Sequence, residues 1–249
     1  MITNKRHELI MKEIKRKNAV TVTDLVDMLD TSESTIRRDL LELDRQGLLR
    51  RVHGGATAIS RMNSAVEDDV DKRQIEHPEE KDGIARYAAK LVEANDFVYI
   101  DAGTSTLKFI EYLDEKTAIY ITNGLLQAQA LLKKGFKVQI VGGEIRNVTG
   151  AVTGAKAVAS ISHYNFTKGF FGTNGIDIQY GFTTVDSEEA AIKETALQRS
   201  LMAYVLADHS KFQKVTPVRF AHIDDAIIIT DHCPDENLKK HTSIVEVQL

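Results

Sequence analysis

The chain has 249 residues, 43% hydrophobic and 27% charged, with three prolines and one cysteine. This length and composition predict one or two globular domains and exclude a long disordered or collagen-like segment. Cys233 cannot form an intrachain disulfide, no cluster of cysteines and histidines predicts a metal site, and no nucleotide-cofactor motif is found. Apolar runs such as 97–100 are far shorter than the ~20 residues of a membrane helix, so we expect a cytoplasmic protein without a membrane partner.

The net charge of −4 is unevenly distributed along the chain. Residues 1–57 hold 11 Lys and Arg against 9 Asp and Glu, a balance of +2, and the remainder carries −6. A surplus this small is a weak signal for nucleic-acid binding. Evidence for nucleic-acid binding must therefore come from the positions of the basic residues.

Residues 1–57 contain three successive helical patterns. Apolar residues at helical spacing predict a helix over about 4–17, a short extended stretch at 20–23 and a second helix of about two turns over 24–29. A third helix is predicted from its N-cap Ser32, from the stop signal Gly47, and from three inward-facing residues, Ile36, Leu40 and Leu43.

A short helix, a turn and a capped second helix form the helix-turn-helix plan, in which the second helix enters the major groove of DNA. The third predicted helix therefore presents residue types that contact base edges and phosphates, namely Ser32, Ser34, Thr35, Arg37 and Arg38. Asp39 is expected to pair with an arginine rather than touch DNA. A hairpin or wing follows, with Arg50, Arg51 and His53 near the phosphates. The alternative is a protein-docking module whose arginines form a solvated face.

The boundaries predicted from composition are a winged helix-turn-helix domain at 1–57, a linker at 58–75 and a ligand-binding domain at 76–249. A helix is expected from Glu79, with Lys81 on or beside its inward stripe. Short apolar runs then predict buried parallel strands at 97–100, 118–121, 137–141, 169–171, 203–206 and 226–229.

Small and polar residues follow each of these runs. The carboxyl edge of an open α/β sheet is where ligands bind, so the pattern predicts a site there. Its candidate residues are Asp101, Gly103, Thr104, Ser105, Thr106, Thr122, Asn123, Gly142, Gly143, Asn174, Asp208 and Lys211.

The loop 103–106 is the best phosphate candidate, because a helix N-terminus and three hydroxyls suit an anion, although Gly-Thr-Ser is equally common in ordinary turns. It is neither a Walker loop nor a dinucleotide fingerprint, which disfavours ATP and NAD. Glu189 and Lys193 share a helix face and form either a surface ion pair or part of the carboxyl-edge site. Asp208 and Lys211 are placed to bind a sugar hydroxyl and a phosphate, and Lys81 is a further phosphate candidate.

Two groups of these motifs resemble the DeoR family of bacterial repressors. In the first domain they are Arg6, Ile10, Ile14, Ser32, the segment 35–40 and the segment 51–56. In the second they are 101–106, 122–123, 142–143, Gly172, 174–175, 189–190, Lys193, Asp208 and 210–212. The resemblance covers nearly the whole chain.

The resemblance implies an α/β fold: a winged helix-turn-helix followed by an open, mostly parallel sheet similar to sugar-phosphate isomerases. It implies a repressor of a sugar-utilisation operon that binds double-stranded operator DNA and a phosphorylated sugar, with fructose 1-phosphate as first candidate. The alternative is an isomerase with an appended DNA-binding module, whose acid and base would come from Asp101, Asp177, Asp208 or Glu189. Asn174 stands where the isomerases carry a carboxylate. Because a neutral amide weakens proton-transfer chemistry, we expect that this chain has no catalytic residue and is not an enzyme. A homodimer and a homotetramer both suit a symmetric operator.

Overall fold

In the computed structural model, residues 3–17, 19–46, 48–57 and 70–248 are described. The chain divides into two units, 1–60 and 61–249, each with its own core. Gly47, the predicted end of the third helix, lies outside the described residues. Within the described part, no helix is long and apolar enough to cross a bilayer.

The N-terminal unit packs three helices on a small antiparallel sheet of order β1-β3-β2. Its elements in chain order are α1 (Thr3–Lys17), β1 (Ala19–Thr21), α2 (Val22–Leu29), α3 (Glu33–Arg45), β2 (Arg50–Val52) and β3 (Gly55–Thr57). Strands β2 and β3 form the predicted wing. The inward positions predicted for the third helix are buried in the core of this unit, which confirms the helical register.

Side-chain caps set the ends of α2 and α3. Thr21 and Asp24 form a reciprocal capping box at the start of α2, and Asp30 ends that helix in the left-handed conformation at φ 46°. The Ser32 hydroxyl accepts a hydrogen bond from the Thr35 amide at 3.3 Å and caps α3, as predicted. The short turn between Asp30 and Ser32 therefore fixes α3 against α2.

The second unit alternates helices and strands. Its helices are α4 (Val70–Ile75), α5 (Pro78–Ala89), α6 (Thr104–Tyr112), α7 (Leu125–Lys133), α8 (Ala155–Ser162) and α9 (Ser187–Gln198). Its strands are β4 (Phe97–Ile100), β5 (Ile119–Thr122), β6 (Lys137–Ile140), β7 (Glu144–Ile145), β8 (Val152–Thr153), β9 (Phe166–Gly172), β10 (Gly175–Asp177), β11 (Gly181–Thr184), β12 (Ser200–Leu206), β13 (Val218–Ala221), β14 (Ile227–Thr230) and β15 (Ile244–Glu246). Two 3₁₀ turns complete it, at His209–Lys211 and Leu238–Lys240.

Seven of these strands form the main sheet, in the order β15-β14-β12-β9-β4-β5-β6, and all its described pairings are parallel. Consecutive side chains of β9 pack into different hydrophobic cores: Phe171 packs on one face of the sheet and Phe170 on the other. Burial on both faces explains the continuous apolar runs of the sequence. All six predicted strands belong to this sheet, and the expectation of an open, mostly parallel sheet is confirmed.

Two smaller antiparallel sheets were not predicted. One pairs β7 with β8, and the other has the order β10-β11-β13. Their strands have two to four residues and little apolar character, so no periodic signal marks them. Gly181 opens β11 at φ +70°, where a Cβ would lie 2.2 Å from the Ala221 carbonyl oxygen, so only glycine fits this approach.

The segment predicted as a linker, 58–75, differs from that prediction at its C-terminal end. Residues 58–69 lie outside the described residues, whereas Val70–Ile75 form helix α4 in the second unit. Lys81 is buried in α5, and its ammonium donates to the carbonyl oxygens of Arg73 and, at 2.7 Å, of Glu76. The lysine thereby caps the C-terminal end of α4.

Candidate functional site

The exposed face of α3 carries the residues predicted to bind DNA. Arg37 and Arg38 point away from the core, and Arg37 forms an exposed ion pair with Glu33 at 2.8 Å between Nε and Oε1. Ser34 is exposed and Thr35 half-buried, and both hydroxyls lie within hydrogen-bond distance of the Ser32 hydroxyl. On the wing, three further predicted residues are exposed, Arg50, Arg51 and His53.

Asp39 fixes α3 to α1 from the inner side of the helix. Its carboxylate accepts a hydrogen bond from Arg6 at 2.9 Å and lies 3.1 Å from the His7 Nε2 atom. Burial opposes ionisation of Asp39, but the hydrogen bonds from Arg6 and His7 outweigh it, so the pKa of Asp39 lies below its ordinary value. The prediction that Asp39 pairs with an arginine is confirmed.

A pocket lies at the carboxyl edge of the main sheet. It encloses about 40 Å³, room for a few waters at about 10–15 Å³ each. Its walls include seven predicted ligand residues: Gly103, Thr104, Ser105, Asn174, Glu189, Lys193 and Lys211. Sequence reasoning missed its other five lining residues: Arg73, Ala102, Thr149, Gly172 and Thr173.

The missed residues differ in the signal that could have revealed them. Gly172 and Thr173 belong to the glycine-rich loop after β9, and Ala102 lies beside the loop 103–106, so their sequence neighbours pointed to them. Arg73 sits in the predicted linker, and Thr149 in a segment without a predicted element. Only the folded chain brings these two to the pocket.

The N-terminus of α6 forms one wall of the pocket. Its N-cap, Gly103, makes no side-chain hydrogen bond to the first turn, and that turn contains no acidic residue. Amide groups and the positive end of the helix dipole therefore face the pocket, beside the side chains of Thr104 and Ser105. This wall is suited to an anion.

Thr106, the third predicted hydroxyl, lies behind this wall. It is fully buried, and its Oγ1 donates to the carbonyl oxygen of Asp101 at 2.6 Å, with the Gly103 carbonyl oxygen at 2.9 Å. Gln127 donates to the same Gly103 carbonyl at 2.8 Å. Thr106 thus braces the loop and does not line the pocket.

Four other predicted residues do not line the pocket either. The Asn123 Oδ1 accepts from the Tyr99 hydroxyl and from the Ala102 amide, each at 3.0 Å, which ties β5 to the loop after β4. The Thr122 hydroxyl accepts from the Gly124 amide at 3.0 Å. The glycines after β6, Gly142 and Gly143, are exposed and do not line the pocket.

Glu189 and Lys193 do not pair with each other. Both are buried and line the pocket, so of the two alternatives the surface ion pair is wrong. The Lys193 ammonium forms an ion pair with Asp101 and donates to the Gly172 carbonyl oxygen at 3.2 Å. Burial raises the pKa of Asp101 despite this partner.

Glu189 is held by other residues of the pocket region. Its Oε1 accepts from Arg146 Nη1 at 2.7 Å and from the Thr149 hydroxyl at 2.6 Å. Among the described residues that line the pocket, Glu189 alone carries a carboxylate. Asn174, on the loop between β9 and β10, accepts a hydrogen bond from Thr184 at 2.8 Å through its Oδ1.

The loop after β12 brings Asp208 and Lys211 to the same region. Lys211 lines the pocket, whereas Asp208 is fully buried and accepts from the Ser210 amide at 2.9 Å. Burial opposes ionisation of Asp208, but the charge of Lys211 and the hydrogen bond from Ser210 outweigh it and lower its pKa. Burial lowers the pKa of Lys81, which does not line the pocket.

A winged helix-turn-helix unit with an exposed basic face, joined to an α/β unit with an anion-suited pocket, is the architecture of ligand-responsive DNA-binding regulators. The family comparison identifies the group. Residues 6–62 match the DeoR-like helix-turn-helix domain, and residues 76–232 match the DeoR C-terminal sensor domain. The chain belongs to the DeoR family, a family of transcriptional regulators and not of enzymes.

Curated relatives agree with this membership. The chain is 41% identical to the HTH-type transcriptional regulator FruR of Bacillus subtilis (strain 168), over 92% of this chain and 91% of the relative. It is 34% identical to the lactose phosphotransferase system repressor of Staphylococcus epidermidis, over 97% of each chain. The family resemblance of the sequence implies a Gram-positive fructose-operon repressor first and a lactose/tagatose-pathway repressor second, and FruR precedes the lactose repressors among these relatives.

Solved structures show more distant likeness. Ribose 5-phosphate isomerase A from Methanocaldococcus jannaschii matches with a TM-score of 0.39 at 15% identity, over 53% of each chain. A probable sor operon regulator from Shigella flexneri matches with a TM-score of 0.39 at 11% identity, over 55% of this chain and 77% of that one. The chain thus spans about half of the isomerase.

Proposed function

We propose that this protein is a repressor of a sugar-utilisation operon and that a phosphorylated sugar in the carboxyl-edge pocket controls its operator binding. The observation that carries the proposal is the wall formed by the N-terminus of α6, where uncapped amides and two hydroxyls face Lys211. Within the described residues, no ion pair involves the Lys211 ammonium, which lines the pocket together with Arg73. A phosphate dianion would accept hydrogen bonds from the α6 amides, the two hydroxyls and the Lys211 ammonium together.

The remaining walls suit the sugar rather than the phosphate. Lys193 and Glu189 are already held by Asp101 and Arg146, so they offer fixed hydrogen-bonding groups rather than free charges. The Asn174 Oδ1 is taken by Thr184, which leaves its amide nitrogen to donate to a sugar oxygen. The family relatives named for a lactose phosphotransferase system support a sugar-derived effector, and fructose 1-phosphate is our first candidate.

Binding of the effector requires the pocket to enlarge. A ligand pocket usually measures about 300–1,000 Å³, far more than the 40 Å³ enclosed here. Arg73 lines the pocket from α4, the short helix that residues 58–69 join to the DNA-binding unit. We infer that the effector displaces α4 and so changes operator affinity through the connecting segment.

A paired measurement tests this function. Thermal unfolding is recorded with fructose 1-phosphate, fructose 6-phosphate, tagatose 6-phosphate, free fructose and inorganic phosphate, and operator binding is titrated with each. An effector at 100 times its Kd adds about 2.7 kcal/mol to the stability of the protein. Stabilisation by a sugar phosphate with a parallel change in operator affinity supports the proposal. An equal response to inorganic phosphate alone, or no response to any compound, contradicts it.

Operator binding also sets an expectation for assembly. Helix-turn-helix proteins usually bind two half-sites related by a twofold axis, so we propose a homodimer or homotetramer in the cytoplasm, where operator DNA lies. Light scattering of the protein alone and with a two-half-site DNA measures the assembly. A monomer in both samples would contradict it.

A further inference from the structure

A cluster of possible metal ligands lies outside the pocket walls. It consists of His77, which precedes α5, Glu80 in the first turn of α5, and His209 in the 3₁₀ turn after β12. One ligand atom of each lies within 4.8 Å of those of the other two, and all three residues are half-buried. The His77 Nδ1 is 3.7 Å from Glu80 Oε1, and the two imidazole rings meet edge to face at 5.0 Å.

His209 is held in the orientation that metal-binding histidines adopt. Its Nδ1 lies 2.6 Å from the Oδ2 of Asp231, and its backbone amide donates to the other oxygen of that carboxylate at 2.7 Å. Asp231 is itself buried, with 7% of its side chain exposed. A carboxylate that accepts the Nδ1 proton leaves the Nε2 lone pair available, which is how outer partners orient metal-bound imidazoles.

We propose that His77, Glu80 and His209 bind a divalent first-row ion, Zn²⁺ foremost, with Asp231 as the outer partner of His209. Two imidazoles and one carboxylate with a fourth position open to water are an established zinc donor set. Zinc–ligand bonds of about 2.0–2.1 Å place tetrahedral ligand atoms about 3.4 Å apart. Closing the cluster from its present spacing therefore requires side-chain shifts of about 1 Å.

The charge around the cluster also favours a cation. Glu80 and Asp231 supply two carboxylates, and the neighbouring Asp208 is fully buried with no hydrogen-bond partner for its Oδ2 among the described residues. The positive charges of Lys81 and Lys211 oppose the binding of a cation. However, the Lys81 ammonium donates hydrogen bonds to carbonyl oxygens at the end of α4, and Lys211 faces the pocket.

A bound ion would join the α4–α5 junction to the loop that carries Asp208 and Lys211. His77 adopts a left-handed conformation at φ 51°, a conformation that non-glycine residues rarely hold without local support. The ion would supply that support and hold two sides of the pocket region together. Metal binding at this cluster does not require the proposed effector.

The test uses the full chain without a histidine tag, treated with chelator and titrated with Co²⁺ and then Zn²⁺. We expect one Co²⁺ per chain with the visible absorption of four-coordinate cobalt, displacement by Zn²⁺, and a higher melting temperature with either ion. His77→Gln, Glu80→Gln and His209→Gln should each lower affinity at least 100-fold. Asp231→Asn should lower it about 10- to 100-fold with the stoichiometry unchanged.

His163→Gln, a change at an exposed histidine at the end of α8, is the matched control and should bind as the unmodified chain does. Melting of each variant without metal shows that it is folded. Should one histidine variant fail to fold, Glu80→Gln and the remaining histidine variant still decide the matter. Absence of stoichiometric binding, or affinity unchanged in the folded ligand variants, would overturn the proposal.

Discussion

Arg37 and Arg38 lie on the exposed face of α3, while Ile36 and Leu40 anchor the helix in the core. Alanine at either arginine should weaken operator binding without lowering the melting temperature, because loss of one base-edge contact costs ~1–3 kcal/mol. Fluorescence anisotropy with operator and unrelated DNA measures the effect. Arg16→Ala, at an exposed position of α1, is the matched control. Wild-type affinity in both α3 variants would remove α3 as the reading helix.

Asp39 contributes stability that depends on pH. Its pKa is lowered in the folded state, so this contribution is present above the unfolded value of about 3.9 and is lost as the pH falls through the folded value. Asp39→Asn should destabilise the DNA-binding unit by about 3 kcal/mol near neutral pH, because it removes the buried ion pair between the Asp39 carboxylate and the Arg6 guanidinium.

Denaturant unfolding between pH 7 and pH 3 checks this. The difference in free energy of unfolding between the wild type and Asp39→Asn should shrink below about pH 4. A difference that stays constant over this range would assign the loss to packing rather than to the carboxylate charge.

Lys211 faces the pocket with no ion-pair partner among the described residues. Lys211→Ala should abolish the response to the sugar phosphate and leave operator binding intact, since the DNA-binding residues belong to the other unit. Operator titrations with and without effector measure both properties. Lys214→Ala, in the same loop but outside the pocket walls, is the control. A normal effector response in Lys211→Ala would exclude the lysine from phosphate binding.

At the scale of elements, the N-terminus of α6 separates a ligand-facing hydroxyl from a structural one. Ser105 lines the pocket, whereas Thr106 binds two backbone carbonyls behind it. Thr106→Val should lower stability by about 1–3 kcal/mol, because it removes the hydrogen bond that the Thr106 hydroxyl donates to the buried Asp101 carbonyl oxygen. Ser105→Ala should change effector affinity with little loss of stability. Thermal unfolding and effector titration of both variants test this, and equal stability losses would contradict the assignment.

The elements of this protein differ in how well the sequence predicts them. Strands such as β4 and β14 are continuous apolar runs because both faces of the main sheet are covered, and they were predicted within one residue. Strands β10, β11 and β13 were missed. Each has three or four residues, and Thr183 and Thr184 are buried through hydrogen bonding and strand pairing rather than by apolar character.

At the scale of the whole molecule, an open, mostly parallel sheet with a carboxyl-edge pocket follows a DNA-binding unit in the chain, and we expect no turnover. An isomerase needs a base about 2.6–3.2 Å from the transferred proton. In the described pocket wall the one carboxylate, Glu189, is held by Arg146 and Thr149. Incubation with ribose, fructose and tagatose phosphates in deuterated solvent, followed by NMR, should show no exchange of carbon-bound hydrogen. Exchange that Asp208→Asn abolishes would show an active isomerase.

The sequence by itself determined the two-part organisation and the family, because periodic apolar patterns and the residues after each strand are local signals. It also determined which face of α3 is outward, since Ser32 caps the helix and the spacing of Ile36, Leu40 and Leu43 fixes the inward face. The same local signals predicted Ser105 as a ligand-binding residue, because it lies in the loop 103–106 that follows a predicted strand.

Only the tertiary structure decided which polar groups line the pocket and which support it. Like Ser105, Thr106 and Asn123 are polar residues that follow a predicted strand. In the folded chain, however, they form hydrogen bonds with Asp101 and Tyr99 and do not line the pocket. It also decided the partners of Lys193 and Glu189, which one helix face could not specify. His77 and His209 meet because α5 and the loop after β12 pack together. Such contacts depend on which segments the fold brings together. The sequence around one partner contains no local signal that identifies the other partner.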